Sequence, residues 1–87
     1  EEYNKNEYSW FHLGVCYVKL NDIKNAEKAF RKSIEINGEY EKPYFELGGL
    51  YWNNKNYLRA LEIWNFAKEK FPESQNIERL PKFMVKN

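Results

Sequence analysis

One feature constrains this chain more than any other: it repeats itself at an offset of 34 residues. The stretch Trp10-Phe11-His12-Leu13-Gly14-Val15-Cys16-Tyr17 stands in register with Tyr44-Phe45-Glu46-Leu47-Gly48-Gly49-Leu50-Tyr51. The same offset takes Ala26 to Ala60, Phe30 to Trp64 and Ser33 to Ala67. A period in this range marks an array of small supersecondary units, each too thin to bury its own apolar face. An 87-residue chain holds two such units and a remainder.

The hydrophobic spacing says what the units are made of. Trp10, Leu13, Gly14, Tyr17 and Leu20 fall at helical intervals, and so do Tyr44, Leu47, Gly48 and Tyr51. Ile23, Ala26, Phe30 and Ile34 form a second face, and Tyr57, Ala60, Leu61, Trp64, Ala67 and Phe71 a fourth. Breaks fall between them at Asn21-Asp22 and at Asn53-Asn54-Lys55-Asn56. Asp22 is suited to cap the next helix, because its carboxylate accepts backbone N–H bonds. Asn37-Gly38 predicts a left-handed helix end. Pro43 suits the first turn of the third helix, where its missing N–H costs nothing. Gly14 and Gly48 predict close helix approach, with Ala26 and Ala60 as small partners. Trp10, Tyr17, Phe30, Tyr44, Tyr51 and Trp64 are expected to fill the space between successive helices.

A large aromatic, Leu-Gly three residues on, Tyr three further, then Ala, then an aromatic: this order resembles the tetratricopeptide repeat (TPR). Pro72 sits at the family's Pro position in the second copy, and Gly38 in the first. The resemblance implies an all-α fold: two tandem helix-turn-helix repeats, a right-handed α-solenoid fragment, and a C-terminal capping segment. The expected division is a lead over 1–6, repeats over 7–40 and 41–74, and a capping helix or tail over 75–87. Ser74 predicts a helix start at Gln75, which Pro81 should end near Leu80. A kink or a new turn through Phe83-Met84-Val85 then follows, and Ile77, Leu80, Phe83 and Met84 are expected to cover the last helix.

Composition narrows the function. Fourteen basic against thirteen acidic residues give a net charge of +1, no electrostatic footprint for nucleic acid or an anionic membrane. No apolar run approaches a membrane span. The single Cys, Cys16, excludes an internal disulfide framework. His12 and Cys16 lie four apart, but a zinc site needs more ligands and a Cys–His nucleophile needs an orienting group. Cys16 is read as a small core residue in register with Leu50, and His12 as a surface or interface residue. No catalytic, metal or cofactor site is expected. The chain begins Glu-Glu-Tyr rather than with Met, so the expectation is a fragment or processed form of a longer, soluble protein, with the cytoplasm preferred.

The resemblance implies a protein–protein interaction module that binds a peptide or helix in a concave groove. By periodicity the inward stripe is Tyr8, Phe11, Val15 and Val18 on the first helix and Lys42, Phe45, Gly49 and Trp52 on the third. This stripe lies about 100° round from the Trp10/Leu13/Tyr17 face, and Gly49 opens a notch between Val15 and Trp52. Family members that clamp a chaperone's C-terminal carboxylate use Lys, Asn and Arg at positions matching Phe11, Val15, Glu46, Asn76 and Leu80 here. None fits, and Glu46 opposes a carboxylate. A second candidate contact is the outer face of the fourth helix, Leu58, Ile63 and Phe66, with Phe66 meeting the tail near Phe83, a second copy or a partner domain. Self-association through uncapped repeat ends is also expected. The alternatives are an RNA-binding helical repeat of pentatricopeptide type and a purely structural scaffold.

Overall fold

The computed structural model describes residues 6–85. The expected lead over 1–6 and the end of the tail therefore lie largely outside the described residues. Four helices, α1 (Glu7–Lys19), α2 (Ile23–Ile36), α3 (Lys42–Asn53) and α4 (Tyr57–Lys70), form two hairpins. A 3₁₀ turn (Gln75–Arg79) and a single helical turn, α5 (Lys82–Val85), follow. Pro81 divides the tail, and Ser74 caps it by accepting the Asn76 N–H at 3.0 Å.

The turns inside the two hairpins are copies of one another. Each ends its first helix with one residue in the left-handed region, Asn21 (φ 61°) and Lys55 (φ 66°). The Asp22 N–H reaches back to the Tyr17 carbonyl and the Asn56 N–H to the Tyr51 carbonyl, both at 2.8 Å. The Asn21 and Lys55 N–H groups bond the Val18 and Trp52 carbonyls at 2.9 and 3.0 Å. This paired pattern satisfies the orphan carbonyls at a helix end. Asp22 and Asn56 then cap the next helices, accepting from the N–H groups of Asn25 (3.3 Å) and Arg59 (3.4 Å).

Between the hairpins the expectation of a left-handed Asn37-Gly38 cap is overturned. No glycine among the described residues has positive φ, and Asn37 is extended at φ −146°. The Asn37 side chain closes this turn instead. Its Oδ1 accepts the Glu39 N–H at 2.9 Å, an Asx turn that needs no left-handed residue.

Packing follows from the small residues. A Cβ on Gly14 would lie 2.6 Å from the Phe30 ring, and one on Gly48 would overlap the Trp64 indole. Neither helix could approach its partner so closely with any other residue there. Ala26, Ala60 and Ala67 are wholly buried, and Phe30 is the largest side chain fully inside. The indole N–H of Trp64 donates to the Phe45 carbonyl at 3.1 Å. Buried Ser33 donates to the Glu7 carbonyl at 2.7 Å, and Asn37 Nδ2 to the Glu7 carboxylate at 3.0 Å, tying the start of α1 to the end of α2. The counterpart Glu41 accepts from Ser74 and, at 3.2 Å, from Asn76 Nδ2, tying α3 to the tail.

Cys16 does not belong to the core. It is exposed, whereas its counterpart Leu50 is buried. Leu50 shares a cleft wall with Val18 and Ile23 of the first hairpin, and no hairpin among the described residues precedes Cys16.

Candidate functional site

The expected inward stripe splits into interior and accessible parts. Phe11 and Phe45 retain only 7% and 9% of their surface, so they are largely core rather than groove wall. Phe11 packs against Phe30 at 5.7 Å and Tyr40 at 5.6 Å. Phe45 borders a small cleft of about 180 Å³ shared with Trp64 and Leu80 of the tail. Tyr8 is exposed and meets Tyr40 edge-on at 4.9 Å. Val15, Gly49 and Trp52 are half-buried, and Val18 and Lys42 are exposed.

Trp52 is the hub of an aromatic cluster. It meets Tyr57 edge-on at 4.8 Å, Trp64 at 5.6 Å and Phe83 of the tail at 6.2 Å. Leu80 and Met84 are buried and Ile77 is half-buried, but Phe83 stays 64% exposed.

The structure brings Val18 and Gly49 together in a cleft of about 330 Å³. Ile23 and Leu50 complete its apolar wall, Asn21, Asn53 and Asn54 its amide rim, and Glu46 supplies a carboxylate. Nothing lies within 4 Å of where a Gly49 Cβ would stand, so the α3 backbone is open to an incoming chain there. The stripe on the first and third helices could not give Ile23, which opens α2, or the Asn rim, which lies at and just beyond the ends of α1 and α3.

The outer face differs from its expected arrangement in one respect. Phe66 rests on Tyr44 at 5.8 Å and remains 54% exposed. Among the described residues Phe83 makes its ring contact with Trp52 and not with Phe66. Ile63 and Phe66 line a cleft of about 410 Å³ with Tyr44, Tyr51, Arg31 and Arg59, while Leu58 stands exposed. The Tyr51 hydroxyl donates to Glu27 at 2.6 Å and accepts from Arg31, with Arg59 at 3.5 Å. Burial works against the charge on Glu27, but the Tyr51 hydroxyl and the Arg31 and Arg59 guanidinium groups outweigh it and hold the carboxyl below the usual range. Sequence reading missed this cluster, although Glu27 and Arg31 stand at ion-pair spacing on one helix.

Among the described residues no group of three or more His, Cys, Asp or Glu is placed to hold a metal ion. No helix among them is long and apolar enough to cross a membrane.

Comparison with known proteins agrees with this geometry. The tetratricopeptide repeat family model matches residues 7–40. Neutrophil cytosol factor 2 of Bos taurus is 36% identical over 52 residues, covering 60% of this chain and 10% of that protein. The BBSome complex member BBS4 of Mus musculus is 27% identical over 84 residues, covering 88% of this chain and 16% of that protein. Human tetratricopeptide repeat protein 6 is 25% identical over 64 residues, covering 74% and 12%. The chain thus spans between about a tenth and a sixth of the length of these relatives. The first hairpin thus matches the tetratricopeptide repeat family model, and the second repeats its geometry, with Gly14 and Gly48 at the two tight crossings.

Proposed function

We propose that the chain is a non-enzymatic binding module whose concave face takes a peptide or helix from a partner protein, as part of a larger protein or assembly. The observation that carries this reading is the cleft floored by Gly49, with Val18, Ile23 and Leu50 as apolar wall and amides at its rim. Such a surface offers apolar anchoring together with main-chain hydrogen bonding. The division into repeats over 7–40 and 41–74 belongs to the same reading. The apolar wall and the net charge of +1 disfavour the RNA-binding alternative. Glu46 on the cleft wall disfavours a carboxylate clamp.

A Gly49→Trp variant tests it. A Cβ at Gly49 would meet nothing within 4 Å, so a side chain there projects into the cleft and helicity should be retained. Peptides selected on the chain from a random display library should lose binding to this variant. If they bind it undiminished, the concave cleft is not the binding surface. The outer face is a second reading, favoured by the exposure of Phe66. Phe66→Lys should then change partner binding or oligomeric state, and no change in either would remove it.

A further inference from the structure

The geometry points to the class of ligand: the concave cleft takes a Lys or Arg side chain of a partner segment, with Glu46 as its counter-ion. This rests on the proposal that the cleft binds a protein segment. Glu46 is half-buried on α3, between the clefts of about 330 and 180 Å³, and lines both. Among the described residues it is the one acidic or basic side chain lining the larger of these two clefts. No hydrogen bond or ion pair to it is recorded among the described residues. Lys42, one turn before it on α3, makes no ion pair with it, and Arg79 borders only the smaller cleft, its guanidinium turned to Asn76 Oδ1 at 3.4 Å.

A cation brought beside this carboxylate gains a charge-assisted hydrogen bond in a partly shielded setting. The rest of the cleft suits the stem of such a cation. Val18, Ile23 and Leu50 present aliphatic surface to its methylenes, as long basic side chains require. The amides of Asn21, Asn53 and Asn54 on the rim can bond the main chain that carries it. The bare backbone at Gly49 lets that main chain approach.

The test selects phage-displayed random nonapeptides on the 87-residue chain, on Glu46→Gln and on Glu46→Lys, with circular dichroism confirming equal helicity. Selection on the native chain should enrich Lys or Arg at one position. The free peptides should lose about tenfold or more in affinity on Glu46→Gln, as expected for a charge-assisted bond. Glu46→Lys should enrich Asp or Glu at that same position. Enriched peptides with no basic residue, or peptides that bind Glu46→Gln as tightly as the native chain, overturn the counter-ion assignment while leaving the groove reading intact. Failure to enrich any peptide that Gly49→Trp excludes overturns both.

Discussion

The first helices of the two hairpins carry the same motif, yet they live in different surroundings. On α3, which packs against both α2 and α4, Tyr44, Leu47 and Tyr51 are buried. On α1, the counterparts Trp10, Leu13 and Tyr17 are only half-buried and border an open cleft of about 440 Å³ with Ala29, Lys28 and Lys32. The motif therefore shapes a helix for stacking, but a neighbouring hairpin supplies the burial. At the other end the tail takes the neighbour's place. Leu80 and Met84 are buried, and Lys68 donates to the Met84 carbonyl.

This asymmetry can be attacked at matched positions. Leu47 is fully buried, so Leu47→Ala should cost about 2–5 kcal/mol in urea unfolding. Leu13→Ala should cost much less, and equal losses would mean that α1 is covered in solution by a second copy or another segment. Sedimentation at several concentrations separates those cases. Next in size is a pair of adjacent glycines with opposite signs. Gly48→Ala forces the Trp64 indole aside and should cost about 1–3 kcal/mol. Gly49→Ala meets nothing and should stabilise α3 by about 0.5–1 kcal/mol. Thermal melts that shift in the same direction would contradict the packing described for α3.

The matched turns allow a finer test. Lys55 pays for a left-handed conformation with its Cβ, while Asn21 adopts it with less strain. Lys55→Asn should raise stability by a few tenths of a kcal/mol to about 1 kcal/mol, measured by denaturant midpoint. A loss would place the strain elsewhere. The smallest effect is alkaline. Burial, reinforced by Glu39 and opposed by Lys70, raises the phenol of Tyr44 above its ordinary value of 10.0. Its proton is held more tightly in the folded chain than in the unfolded one. That contribution to stability is complete below about pH 10 and is lost as the pH rises through the folded value. Tyr44→Phe should flatten the decline in melting temperature at alkaline pH, compared with the native chain.

Much of the fold was legible because spacing reports helix faces and small residues report close approach. Gly14 and Gly48 announced the crossings that Phe30 and Trp64 fill. What escaped depends on neighbours or on single backbone angles. Cys16 looked like core because Leu50 is, but position in a repeat fixes direction and not cover. Gly38 looked like the left-handed residue, whereas Asn21 and Lys55 hold that conformation and Asn37 closes its turn with a side-chain oxygen. The cleft was half legible. Val18 and Gly49 lay on the stripe, while Ile23 and the asparagines stand at helix ends, where the turn and not the stripe sets which cleft they face. Phe11 and Phe45 lay on the same stripe but were claimed by Tyr40 and by the tail.

The shared cap at Asp22 and Asn56 has a consequence for chain length. Each of these residues closes one helix through its N–H and opens the next through its side chain. A turn in which one residue serves two helices has no spare link. Adding a residue after Asn21 or Lys55 would separate the two duties, so one helix end would lose its partner. Surface loops ordinarily absorb insertions at little thermodynamic cost, but these two have no such tolerance. The connector from Asn37 to Glu41 ends α2 and begins α3 on different residues, and is where the array can change its length and keep its geometry.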